Sequence, residues 1–164
     1  MEKGIYSLII EVQLPQKLKI GALGNIEFKK GYYVYVGSAL GKGPTSLRGR
    51  IGRHLSRVKK PFWHIDYLLN SPEGVKVAAF VVSPTDKRME CSIAFVIKDG
   101  YPSKALPIKG FGSSDCLTGC HGHLFYLAEV ERLDEALEIV RIAHRSVGLS
   151  PRAILVERNS SKTF

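Results

Sequence analysis

Apolar and polar residues alternate at the start of the chain, and the period changes several times afterwards. GIYSLIIEVQL reads as a strand, and Leu14-Pro15-Gln16 then breaks it into a turn before KLKIGALG resumes the alternation. NIEFKKGYYVYVG supplies a further short strand, a Lys/Gly turn and a run of Tyr and Val that favours extended backbone. The first 37 residues therefore predict a β-meander. After GKGP the period becomes helical, with Leu47, Ile51, Leu55 and Val58 on one stripe, Thr45 or Ser46 in N-cap position, and an end near Pro61.

Further along, residues 62–70 read as a short helix, VKVAAFVVS as a buried strand, and residues 87–98 as a helix ending at Gly100. Residues 101–122 are rich in Gly, Ser, Pro and Cys without a clear period, and a loop of that length in a compact domain is commonly functional. HLFYLAEV predicts a strand, residues 133–147 a helix closed by Gly148, and RAILVER a last strand, with NSSKTF as a tail. The expected class is α+β, a small antiparallel or mixed sheet flanked by helices. At 164 residues and 45% hydrophobic content, a single domain spanning residues 1–164 is the default. No apolar run reaches the roughly eighteen residues of a membrane span, and no signal-peptide pattern opens the chain. Three cysteines, an odd number, argue against a disulfide-stapled exported scaffold, so a cytoplasmic address is expected.

Charge narrows the class of partner. The formal net charge is +9, and residues 29–64 carry Lys29, Lys30, Lys42, Arg48, Arg50, Arg53, Arg57, Lys59 and Lys60 with no Asp or Glu. Clustered cations of this kind suit a phosphate backbone, so nucleic acid is the expected partner, with Lys42, Arg48, Arg53, Arg57, Lys59 and Lys60 as contacts. The alternative is a solvated helix face that serves solubility.

Gly4-Ile5-Tyr6 on the first strand, Tyr35-Val36-Gly37 on a later strand and SLRGRIGRHL on the following helix resemble the opening motifs of GIY-YIG nucleases. A finer likeness runs through KIGALGNIEFKKGYYVYVGSALG, FWHIDYLL, MEC and GFGSSDC…HLF, over roughly residues 4 to 127. It resembles a prokaryotic GIY-YIG-like branch sometimes fused to endonuclease III, a likeness that bears on fold more firmly than on reaction. The Tyr6-to-Tyr35 interval is longer than that family's usual one, so the resemblance implies an inserted hairpin. It also implies a core over about 4–127 and a C-terminal strand-helix-strand extension over about 128–158, which would pack on the sheet, bind a partner or mediate self-association.

The resemblance implies a metal-dependent endonuclease, acting on DNA before RNA in repair or processing, in which Tyr6, Tyr35, Arg50 and His54 are catalytic. Arg50 and His54 lie one helical turn apart, and a planar five-donor guanidinium suits charge developing on phosphoryl oxygens. Arg50 would contact the scissile phosphate and the tyrosines would position or activate water. A phenol with an ordinary pKa near 10 needs help to act as a base. The competing readings are ordinary sheet tyrosines, an Arg50 that merely extends the basic stripe, and a His54 that packs the helix. Glu90, on a stripe with Ala94 and Ile97, matches the Glu that would hold Mg²⁺ or Mn²⁺, against a plain ion pair with Arg88.

The loop residues Asp115, Cys116, Cys120, His121 and His123 form a second cluster. They admit a Zn²⁺ site, with Cys91 a further candidate ligand, although the spacing is not a standard one. The other options are a hydrogen-bonded loop held by Asp115 and His123, or a contribution of His121 or His123 to the active site. His64 and Asp66 either approach the site or bond along their helix. Two alternatives to the nuclease therefore stand: a non-catalytic nucleic-acid-binding module that partners a repair enzyme, and a zinc-stabilised adaptor.

Overall fold

The computed structural model describes residues 3–56, 60–71, 73–112 and 122–156. Strand β1 (Gly4–Val12) is apolar at nearly every position and lies in the middle of the sheet, as its sequence requires, because both of its faces must be covered. It pairs antiparallel with β4 (Gly31–Ala39) on one side and with β5 (Val75–Pro84) on the other. The short strands β6 (Ala105–Pro107) and β7 (Leu124–Leu127) extend the sheet beyond β4, and β8 (Arg152–Leu155) pairs with β5 at the far edge. The order is β6-β7-β4-β1-β5-β8, antiparallel throughout, and the class is α+β.

The expected meander is corrected by this pairing. β2 (Gln16–Lys19) and β3 (Asn25–Phe28) form their own two-stranded sheet, and the strand beside β1 is β4. Long apolar β1 gains more by pairing with equally long β4 than with a four-residue polar strand. The hairpin is thus an insertion between two central strands. Residues 101–122, read as a loop, include β6, whose three residues are too few to show a period.

Alternation along β1 divides the core in two. Ile5 and Ile9 face helices α3 (Glu90–Gly100) and α4 (Leu133–Ser146), packing with Ile93, Ala94, Ile97, Leu137 and Val140. Tyr6, Leu8 and Ile10 face the opposite side, with helices α1 (Leu47–Leu55) and α2 (His64–Leu69) and the β2-β3 hairpin. The C-terminal segment packs on the sheet: α4 contributes Ala136, Leu137, Ile139, Val140 and Ala143 to the core. No helix among the described residues is long and apolar enough to cross a membrane.

One polar link crosses the α4 face. His144 is fully buried, with Nε2 2.9 Å from Ser7 Oγ on β1 and Nδ1 2.8 Å from Ser83 Oγ on β5. Both ring nitrogens are satisfied with a neutral ring, one donating and one accepting. Burial lowers the His144 pKa from 6.5 to about 4. The unfolded chain therefore takes up a proton near pH 6.5 that the native state refuses until about pH 4. Its contribution is complete above pH 6.5 and is lost as the pH falls through that window, amounting to about 3 kcal/mol. Urea unfolding from pH 7 to pH 4 should show this loss in the wild type and a flatter profile in His144→Gln.

Candidate active site

The site lies on the α1/α2 face and begins with strand parity. Tyr6 stands opposite Gly37, and Tyr35 opposite Leu8, in the β1–β4 register, so both tyrosines project from one face as diagonal neighbours. The motif glycines make room for them. A Cβ on Gly37 would sit 2.6 Å from the Tyr6 hydroxyl, and one on Gly4 would sit 2.4 Å from the Ser83 carbonyl oxygen. No side chain fits at either place without moving Tyr6 or the β1–β5 pairing.

Helix α1 lies over these tyrosines. Ser46 caps it, its Oγ accepting from Gly49 N–H at 3.1 Å, and Leu47 is buried beside Gly4. The helix stops at Leu55, short of the expected end near Pro61, because Ser56 turns to extended backbone. Leu55, expected to pack the helix down, is 48% exposed, and His54 points inward instead. Its Nε2 is 2.8 Å from the Tyr6 hydroxyl. The His54 ring centre lies 5.3 Å from that of Tyr6 and 6.3 Å from that of Tyr35.

Arg50, one turn earlier on the same face, completes the group. Its guanidinium stacks 4.2 Å over the Trp63 ring and acts electrostatically on Tyr6, while its Nε is buried with no hydrogen-bond partner among the described residues. Burial pushes the Tyr6 pKa well above the usual phenol value, a rise that neighbouring Tyr35 adds to and Arg50 only partly offsets. Tyr35 is pushed up to about 12, chiefly by burial, against the pull of Arg50 and with help from the negative charges of Asp66 and Glu90. Both phenols are protonated at neutral pH.

Trp63 was not singled out in the sequence, yet it is the platform that orients Arg50. Arg53 stacks on the same ring at 4.9 Å, donates to buried Asp66 Oδ2 at 2.7 Å and to the Lys60 carbonyl oxygen at 3.1 Å. The same Asp66 oxygen accepts from Phe62 N–H (2.9 Å) and Trp63 N–H (3.0 Å), closing the start of α2. Burial alone would raise the Asp66 pKa, but Arg53 and these two amides outweigh it and hold the carboxyl below its ordinary value. Asp66→Ala would leave Arg53 and two amides without their acceptor and should destabilise the protein by about 3 kcal/mol, read by urea unfolding at pH 7.

Glu90 opens α3, its side chain 15% exposed. Oε1 is 4.0 Å from Arg88 Nε, a loose pairing, and Oε2 is buried with no hydrogen-bond partner among the described residues. Its charge reaches Tyr35. An orphaned carboxylate oxygen whose charge reaches Tyr35 fits a hard divalent cation, and Mg²⁺ tolerates one protein carboxylate because it retains water. Among the described residues there is no cluster of three or more His, Cys, Asp or Glu that could hold a metal; Glu90 is the carboxylate that would hold one at this site.

The remaining expected contacts separate into groups. Lys42, Arg48 and Lys60 are exposed around α1, while Arg53 is engaged with Asp66. Arg57, Lys59, Asp115, Cys116, Cys120 and His121 lie outside the described residues. His123 is buried, its Nε2 3.4 Å from Cys91 Sγ, and it adjoins the site through Gly112, where a Cβ would meet both Tyr35 and His123. Gly112 N–H donates to His64 Nδ1 at 2.8 Å, which fixes that imidazole beside Phe111. Burial lowers the His64 pKa, in keeping with a neutral ring that accepts this bond.

An α+β domain with two tyrosines, an arginine and a histidine on one sheet face, and an orphaned glutamate on α3 within electrostatic reach of Tyr35, belongs, as a class, among compact domains with a built polar site. The chain belongs to the family of the domain of unknown function DUF123, whose family model matches residues 5–146. No curated protein and no solved structure matches it.

Proposed function

We propose that this protein is a metal-dependent endonuclease of GIY-YIG type that hydrolyses phosphodiester bonds, in DNA before RNA. The observation that carries the reading is Arg50, stacked on Trp63 and within electrostatic reach of Tyr6 and Tyr35, with its buried Nε unpaired among the described residues. A guanidinium fixed in advance stabilises charge on a phosphoryl oxygen without having to reorganise during the reaction. Exposed Lys42, Arg48 and Lys60 flank it and would hold the strand backbone.

On this reading water forms a new bond to phosphorus while the bond to the sugar oxygen breaks, and the leaving oxygen ends protonated. Tyr35, half-buried and protonated, orients the water or the phosphate as a hydrogen-bond donor. Tyr6 is buried and bonded to His54, so it positions Arg50 and His54. Glu90 would hold Mg²⁺ or Mn²⁺, which when bound would neutralise phosphoryl charge and lower the pKa of water. The reading is tested by incubating labelled single-stranded, duplex and branched DNA and RNA with the protein in Mg²⁺, in Mn²⁺ and with chelator. Metal-dependent product supports it, and binding without turnover on every substrate contradicts it.

A second reading, a non-catalytic nucleic-acid-binding module serving a repair enzyme, is favoured by the protonated phenols: neither tyrosine is a base at neutral pH as it stands. The same assay separates the two.

A further inference from the structure

Phe62 is the most exposed large apolar side chain among the described residues, at 76%, and it is not loosely held. Its amide is fixed by Asp66 at 2.9 Å, and the backbone two residues earlier by Arg53 at 3.1 Å. Its ring stands edge-to-face on Trp63, centres 5.4 Å apart at 76°. Trp63 in turn is stacked by Arg50 and Arg53. The ring is thus held out into solvent by the structure that orients Arg50, with exposed Lys60 two residues before it.

We infer that Phe62 is a stacking platform for an unpaired nucleobase, and that the substrate class is nucleic acid that is single-stranded at the site: a free strand, a flap or a gap. This rests on the proposed nuclease reading and deepens it. Arg50 and Phe62 contact the same indole, so a base on Phe62 and a neighbouring phosphate at Arg50 belong to one short stretch of strand. Every base has a π-face, so such a platform accepts strands without regard to sequence. A paired base has its faces already occupied within the duplex and offers Phe62 nothing to stack on. Charge supplies the complement, since the platform sits within a stretch of nine Lys and Arg and no acid between residues 29 and 64.

The test is binding in chelator, where no strand is cut, using labelled single-stranded DNA of about twelve nucleotides, its duplex and inorganic polyphosphate. Trp63 is the chain's single tryptophan, so its fluorescence reports occupancy of the platform directly. Single strand should bind more tightly than duplex and perturb that fluorescence. Phe62→Ala should weaken single-strand binding by about 5- to 150-fold while leaving duplex and polyphosphate binding unchanged, and Phe62→Tyr should retain wild-type affinity. Single-strand binding untouched by Phe62→Ala, or an equal loss on duplex, overturns the inference. A cleavage assay run alongside keeps the two claims apart. Metal-dependent cutting with no role for Phe62 defeats the platform and leaves the nuclease standing. Phe62-dependent strand binding with no cutting on any substrate supports the platform and defeats the nuclease.

Discussion

Arg50→Ala is expected to reduce cleavage by about 10³-fold while the protein stays folded and still binds nucleic acid. Arg50 is the group that Tyr6, Trp63 and the α1 geometry converge to hold, and Lys42, Arg48 and Lys60 would still attract the backbone without it. Losing the stack on Trp63 should cost no more than about 1–2 kcal/mol of stability. Arg50→Lys keeps the charge but not the planar fork, and it should recover little activity. Single-turnover rates with thermal unfolding of each variant check this. Wild-type rates in Arg50→Ala would remove Arg50 from the mechanism.

Glu90→Ala should have an equally large effect on activity, about 10³-fold, and the opposite effect on stability in chelator. A carboxylate with one oxygen buried and unpaired among the described residues costs free energy in the metal-free protein. Its removal should therefore stabilise that state by about 1 kcal/mol. Mn²⁺ should raise the melting temperature of the wild type and leave that of Glu90→Ala unchanged. A merely structural Glu90, paired with Arg88, would give the reverse: a less stable variant and no difference in response to metal.

The parts of this arrangement that were legible in the sequence rest on short-range rules. Alternation in GIYSLIIEV and GYYVYVG located β1 and β4, but it is the β1–β4 register, with Tyr6 opposite Gly37, that sets the two tyrosines on one face. The i, i+4 spacing put His54 on the face of Arg50, while the inserted hairpin seen as β2-β3 was implied by the family resemblance and not by any period. Strand pairing was not legible in the same way. Neighbouring strands were expected to form a meander, but long β1 and β4 pair across the hairpin because both are apolar and nine residues long. The end of α1 is not legible either, since Val58 continues the helical spacing while the backbone leaves the helix after Leu55.

Contacts between residues far apart in the chain leave no period to read. Arg53 appeared as one more cation in a basic stripe, and only the fold reveals its bond to Asp66 and its stack on Trp63. Ser7 and His144 are 137 positions apart, and Gly112 and His64 are 48 apart. A signal for Trp63 did exist: an aromatic pair just before a helix, with an aspartate three residues after the second ring, is the pattern of a closed helix start.

The most direct measurement is cleavage of a labelled DNA panel in Mn²⁺ and in Mg²⁺ by wild type and Glu90→Ala side by side, with a chelator control for each. The account predicts product from the wild type only with metal, and about 10³-fold less from Glu90→Ala under the same conditions. Equal rates from the two proteins, or no product from the wild type on any substrate, would contradict it.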